Sequence, residues 1–482
     1  MNLVSSPKRS KYLNVFTFAL VSAVFFWMAY YSVSSVLPTS IPVHHDDYTN
    51  YSLAASSYNW SWIRPLSTGL VYFLSSLGPD WLIWAVRICT VTYVFLCWKI
   101  LVELINPRPY WITLFFFAVA ALSTPIVAEY ARYTGMITHM MSGCLGLAAV
   151  YFLFKDDNVE TDTWLYVSVI LLLLSTLAKE DFLLFYVFSA AYILFQSKKS
   201  IRKRFLVSLA GLTMSVLIVA GAKFLAASSF LGTSDVQSSY YIDTSPTGVA
   251  NTVWRYLTGA GHPAMIDHGK TIASAVIFSA IAAFILLVRD RTLPKTVYAL
   301  GAALTLIAPY SVLPNHVNAY YELIWLPFVI GAVYVALAEL MRVDQVTVFR
   351  SALAHLLLAA LAVQLYWVDT PGRLSVAHWY DVVGSDNAKV LSYLEANKAS
   401  INGTQSVCIY GASALSPWYI HNGQYLATVM GLHTVWNVFI DKKSPLYAGM
   451  QHGADSSAGR VIIQDISETN ASCLKLTLDI IE

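Results

Sequence analysis

Apolar runs recur along this chain at about 13–37, 80–104, 110–127, 136–154, 164–178, 182–196, 205–227, 271–288, 296–313, 321–341 and 350–368. A helix needs about 20 apolar residues to cross a bilayer, so the pattern predicts about eleven membrane-spanning helices. Two of the runs, 164–178 and 182–196, are short and parted only by Lys179-Glu180-Asp181. Each charge left at a bilayer centre costs roughly 2.5–3.5 kcal/mol, so these are read as two helices meeting at a polar break. Residues 66–77 (LSTGLVYFLSSL) are apolar but too short to cross. They are expected along the interface or as a re-entrant turn.

The basic residues orient the spans. Segments expected inside carry Lys8, Arg9 and Lys11; Arg108; Lys155; Lys198, Lys199, Arg202, Lys203 and Arg204; Arg289, Arg291 and Lys295; Arg342 and Arg350. Longer segments expected outside, up to residue 270, hold only Arg64, Arg132, Lys179, Arg255 and Lys270. The positive-inside rule then puts the N-terminus in the cytoplasm and the C-terminus outside. The first run has too long an apolar stretch for a cleaved signal peptide and no small-residue cleavage site near Pro38, so it is read as a retained helix.

From about Thr370 the composition turns soluble. Residues 386–398 (DNAKVLSYLEANK) read as an amphipathic helix, and 405–412 and 459–466 as buried strands flanked by glycine. The expected fold is a polytopic α-helical membrane protein over 1–369, with a first outer loop at 38–79 and a long outer loop at 228–270. A small extracytoplasmic α/β domain follows over 370–482. Cys89, Cys97 and Cys144 fall in apolar runs as small core residues. Cys408 and Cys473 stand in the C-terminal region, where an oxidising compartment would permit a disulfide.

With 57% hydrophobic and 12% charged residues, the composition excludes an ordinary soluble protein. The net charge of +2 comes with no basic patch, so no nucleic-acid partner is expected. The sequence carries no dinucleotide fingerprint, Walker motif or zinc spacing, which argues against ATP-driven transport.

Candidate chemistry begins at His44-His45-Asp46-Asp47-Tyr48, just beyond the first span on the outer face. A carboxylate there, Asp46 or Asp47, can take the proton of a hydroxyl that attacks a lipid-carried substrate. The alternative is a solvated pair or a helix N-cap ahead of Tyr48. The two histidines with the aspartates could instead hold a metal. Adjacent side chains on an extended segment point to opposite sides, so no metal site is assigned. Lys179 can hold a phosphate as a point charge, with Glu180 and Asp181 positioning it or meeting sugar hydroxyls; a plain polar turn is the alternative. Arg64 and Arg132, each beside aromatics at an outer boundary, could fork onto phosphate oxygens or snorkel to head groups. Arg87 lies deeper in its helix. The loop PNHVNAYYE, with Asn315, His316, Tyr320, Tyr321 and Glu322, suits sugar contact or an interfacial belt equally. His139 and His355 read as packed helix residues. In the 228–270 loop, Tyr240, Tyr241, Trp254 and Tyr256 could form a lid or a sugar platform, or a plain connector.

Several of these features occur together: an acidic pair in a long first outer loop, then Arg64-Pro65-Leu66, Leu77-Gly78-Pro79, a helix bearing Arg87, an outer Lys179-Glu180 and a terminal outer domain. The ensemble resembles the GT-C superfamily of integral-membrane glycosyltransferases, which includes protein mannosyltransferases and the lipid A aminoarabinose transferase. In size, and in lacking a large soluble catalytic domain, it is also similar to phage-type serotype-converting O-antigen glucosyltransferases. The two histidines ahead of the acidic pair depart from the usual pattern. The resemblance implies a sugar moved from a polyprenyl-phosphate donor to a glycan or lipid-linked acceptor such as O-antigen or another cell-surface polysaccharide. It implies no required cofactor, an acidic residue of the first outer loop at the acceptor, and a bacterial inner-membrane location. The rivals are an O-antigen polymerase or ligase and a transporter or flippase for lipid-linked sugars. The first more typically uses basic residues of a later loop; the second commonly shows internal repeats, and none is seen here.

Overall fold

The computed structural model describes residues 64–77, 79–105, 110–130, 134–158, 163–196, 201–225, 241–258, 266–290, 294–317, 319–340, 356–357, 359–378, 396, 406–410, 436–440, 443, 461–465, 467 and 473–477. The first apolar run, the acidic pair, Arg132, Tyr240 and His355 lie outside the described residues.

Among the described residues, twelve α-helices precede residue 341. They are α1 (Pro65–Leu77), α2 (Pro79–Ile105), α3 (Tyr110–Leu122), α4 (Ile126–Tyr130), α5 (Ile137–Asn158) and α6 (Thr163–Ala178). Then come α7 (Leu183–Gln196), α8 (Ile201–Leu225), α9 (Pro246–Leu257), α10 (Ile266–Asp290), α11 (Lys295–Ser311) and α12 (Glu322–Leu340). A further helix, α13, covers 359–378. It runs past Thr370, where the composition alone suggested that the membrane part ends. Among the described residues, five helices are long and apolar enough to cross a membrane: Trp81–Leu104, Ile137–Asp156, Arg204–Ala222, Asp267–Asp290 and Glu322–Leu340. Large apolar side chains such as Leu217, Phe224, Ile281 and Phe284 stand exposed on these helices. An aqueous surface would not tolerate such faces, and lipid does.

The core forms where α5 packs on α2 and α6, and α11 on α12. Trp325 and Phe328 of α12 are fully enclosed, and Phe185 of α7 meets Phe328 with ring centroids 5.2 Å apart. The Tyr93 hydroxyl of α2 donates to the Ile324 carbonyl. Helix ends are satisfied locally or across the bundle. Pro65, Pro79 and Pro246 open their helices, where a missing N–H costs nothing. The Ser245 hydroxyl caps α9 by accepting from Gly248 N at 3.1 Å. The start of α11 is capped from elsewhere: the Glu339 carboxylate, at the end of α12, accepts from Lys295 N at 2.8 Å and Thr296 N at 3.0 Å.

Among the described residues, the C-terminal region holds four strands, β1 (Ser406–Tyr410), β2 (Trp436–Ile440), β3 (Val461–Asp465) and β4 (Leu474–Thr477). They form one parallel sheet in the order β3-β2-β1-β4. Two of them coincide with the runs read as strands; β2 and β4 were not anticipated. Of the helix expected over 386–398, only Ala396 is described, and it is helical. Cys408 in β1 is disulfide-bonded to Cys473, which immediately precedes β4, with Cα atoms 5.6 Å apart.

Candidate functional site

The polar break between α6 and α7 is where the sequence placed it. Lys179 is extended (φ −169°, ψ 147°), and Glu180–Phe182 make one 3₁₀ turn before α7 begins. The carbonyls that a terminating helix leaves unpaired are met by neighbours. Ser67 of α1 donates to Ala178 O at 2.9 Å, and Ser142 of α5 donates to Lys179 O at 2.7 Å. The turn seats deeply because α5 presents glycine to it. A Cβ on Gly146 would lie 2.7 Å from the Phe182 Cβ.

This geometry drives the three charges in different directions. Lys179 and Asp181 are buried, while Glu180 is half-buried. The Lys179 Nζ is 3.0 Å from Asp181 Oδ2, and His139 Nδ1 is 2.9 Å from the same oxygen. The Lys179 Nζ also lies 2.9 Å from His139 Nε2. Arg64, at the head of α1, reaches Glu180 at 3.8 Å with 38% of its side chain exposed. Burial alone raises the Asp181 carboxyl, but the Lys179 ammonium and the His139 hydrogen bond overrule it and hold it well below the usual carboxylate range. Burial lowers the Lys179 ammonium, partly offset by Asp181.

An aromatic wall stands against these charges. Tyr310 and Tyr321 stack with centroids 3.8 Å apart, Tyr320 adjoins Tyr321 at 4.3 Å, and His139 meets Tyr321 edge-on at 5.3 Å. Lys179 Nζ is 5.8 Å from the Tyr310 ring centroid and 5.9 Å from that of Tyr321, within cation–π reach. His316 Nε2 is 3.1 Å from the Tyr321 hydroxyl and 3.4 Å from that of Tyr320. Burial and the nearby Lys179 lower the His316 imidazole pKa. Behind the wall, Tyr130 donates to the Tyr320 carbonyl at 2.6 Å. The helix α9, within residues 228–270, packs on the same segment. Tyr256 is buried with its hydroxyl 3.3 Å from His316 O, and Arg255 donates to Pro314 O at 2.6 Å. Trp254 of α9 is exposed.

The structure therefore brings together Arg64, Lys179, Glu180, Asp181, His316, Tyr320 and Tyr321. Asp46, Asp47 and Arg132 lie outside the described residues. Arg87 belongs elsewhere, over the Trp84 ring at 4.9 Å. Glu322 turns away from the site to His268. Two members were not recognised in the sequence. His139 was read as packing and instead bonds both buried charges; an imidazole inside an apolar run is costly enough to have been the signal. Tyr310 gave no signal beyond its place beside Pro309. Among the described residues, no set of three or more His, Cys, Asp or Glu side chains converges to hold a metal ion.

Fold and site together define a polytopic helical membrane protein with a charged, aromatic-walled site at the junction of its helix ends. A scan of family models and a search of curated proteins both find no match. Among solved structures, the chain is similar to ArnT from Cupriavidus metallidurans bound to undecaprenyl phosphate. The TM-score is 0.47 and the identity 12%, over 93% of this chain and 90% of that one. A likeness of that size carries no argument about this protein.

Proposed function

We propose that this chain is a GT-C-type glycosyltransferase that moves a sugar from a polyprenyl-phosphate donor to a glycan or lipid-linked acceptor on the outer face of a membrane. The observation that carries the reading is the Arg64–Glu180–Lys179–Asp181–His139 constellation set against the Tyr310–Tyr321 stack. Cations and aromatic faces are what a phosphate joined to a sugar requires, and here they meet at helix ends rather than in mid-span. The motif resemblance supports the same reading. The Cys408–Cys473 disulfide is in keeping with a C-terminal region outside the cytoplasm.

In this reaction the acceptor hydroxyl attacks the anomeric carbon, the bond from that carbon to the phosphate oxygen breaks, and the hydroxyl proton passes to Asp46 or Asp47. The departing polyprenyl phosphate gains a negative charge. Lys179 with Arg64 or Arg132 stabilises that charge as it develops, which accelerates the step because the gain is larger in the transition state than in the ground state. Arg64 is the more open of the two described cations, and Lys179 lies beneath it. Tyr320 and His316 face the sugar, and the enzyme would be a hexosyltransferase acting on O-antigen or a related surface polysaccharide in a bacterial inner membrane. The phage-type likeness rests on size alone and adds nothing to the site.

Mass spectrometry of surface glycans and lipid carriers, with and without the intact gene, tests the reading. Loss of one sugar from the surface with accumulation of its polyprenyl-phosphate donor is expected, and Asp46→Asn with Asp47→Asn should reproduce it. Identical profiles would overturn the assignment.

A further inference from the structure

A second cluster of titratable side chains lies outside the constellation around Lys179. His268, in the first turn of α10, is buried between two carboxylates. Its Nδ1 is 2.7 Å from Asp369 Oδ1 on α13, and its Nε2 is hydrogen-bonded to Glu322 Oε1 at the head of α12. All three residues are at most 3% exposed. Both ring nitrogens face carboxylate oxygens, so the three groups must share two protons, as imidazolium between carboxylates or as neutral imidazole beside one carboxylic acid. Either way the trio carries one net negative charge. Arg373, one turn along α13 and also buried, interacts electrostatically with Asp369 and brings the sum to zero.

An apolar filling would stabilise this position as well or better, because a buried ion cluster bears a large desolvation cost. What the cluster supplies is placement. Glu322 follows Tyr321 directly, so the hydrogen bond that holds Glu322 also fixes where the Tyr320–Tyr321 wall meets His316, Tyr310 and Lys179. Tyr130 pins the same segment through the Tyr320 carbonyl. Removing the Glu322 anchor takes away the hold at the head of α12, next to the two tyrosines.

We infer that Asp369 and His268 are positioning residues for the site, acting through Glu322 on the aromatic wall, so that α13 is coupled to donor binding. The inference rests on the functional reading only for its kinetic consequence; the mechanical coupling stands independently of it. One carboxylate oxygen, Asp369 Oδ2, has no hydrogen-bond partner among the described residues. An asparagine at that position can therefore keep the bond to His268 through its carbonyl oxygen, whereas a leucine cannot.

The test uses the full chain in lipid nanodiscs, as wild type, Asp369→Asn and Asp369→Leu. Deuterium exchange is followed over 312–330, with 165–178 as the internal reference. Exchange over 312–330 should accelerate about tenfold in Asp369→Leu, and less in Asp369→Asn, with the reference unchanged, the size expected for a coupling of 1–3 kcal/mol. No acceleration, or an equal rise in both segments, would overturn the inference, the second because it marks general destabilisation. Should Asp369→Leu fail to fold, Asp369→Asn together with His268→Gln decides by the same criterion. With polyprenyl-phosphate sugar as substrate, Asp369→Leu should raise KM for the donor about fivefold and leave kcat within about twofold, with Asp369→Asn closer to the wild type. A fall in kcat at unchanged KM would overturn the positioning role. Absence of transfer by the wild type would refute the glycosyltransferase reading instead, and the exchange measurement would still decide the coupling.

Discussion

Helices α8 and α12 have nearly the same mean hydropathy, yet 83% of the apolar window of α12 is buried inside the protein and only 17% of that of α8. In water, two equally greasy helices would both be drawn inward. In a bilayer the lipid tails are as apolar as the core, so hydrophobicity selects depth and does not select partners. What distinguishes α12 is polar and steric. Its two terminal carboxylates are both engaged, Glu322 by His268 and Glu339 by the start of α11, and Gly331 lets Leu101 of α2 come close. In α8, Leu206, Leu209, Met214 and Leu217 face outward, and a buried ion pair, Arg204–Asp156 at 2.7 Å, ties its head to α5.

The largest effect should come from the charges lying against the head of α12. Asp181→Leu leaves the buried Lys179 ammonium without its carboxylate, which costs about 3–5 kcal/mol. Thermal unfolding in detergent should show it, and adding Lys179→Met should recover most of the loss. An unaltered unfolding temperature in the single variant would mean that water reaches Lys179. The same pair sets an acid response. The folded-state pKa of Asp181 is depressed, so its contribution is complete above the ordinary aspartate pKa of about 3.9 and disappears as the pH falls below it. Lowering the pH from 6 to 3 should therefore destabilise the wild type more than Asp181→Leu; equal losses would assign the acid response to other groups.

Gly331→Val comes next. A Cβ there meets Leu101 Cδ1 at 2.3 Å in a filled core, so overpacking of about 1–3 kcal/mol is expected. Glu339→Gln weakens the cross-helix cap on Lys295 N and Thr296 N and should cost about 1 kcal/mol, read as a lower unfolding temperature with the site's chemistry intact. Smallest of all is Gly221→Val in α8, where no atom of the described residues lies within 4 Å of an added Cβ; it should stay within about 0.5 kcal/mol. If the two glycine variants destabilise equally, α8 is covered in the membrane by something other than lipid.

Much of the helical pattern was legible in the sequence because crossing a bilayer imposes length and apolarity on each segment separately. The run at 80–104 became Pro79–Ile105, that at 205–227 became Ile201–Leu225, and the charges at 179–181 ended one helix before another began. Lys179, Glu180 and Asp181 were readable as a polar break for the same reason: the cost of charge in lipid is a local property of the chain. The β2 and β4 strands were missed because parallel pairing joins segments far apart in sequence, and His139 was missed because an imidazole in an apolar run reads as packing until its partners are known. Residues 139, 181, 310 and 321 come from four separate segments, and His268, Glu322 and Asp369 from three. The chain's own chemistry determined which segments enter the membrane and where polar groups gather at their ends. Only the tertiary packing decided which of those groups meet, and which of two equally apolar helices lies at the centre, because lipid and protein interior make the same demands of an apolar side chain.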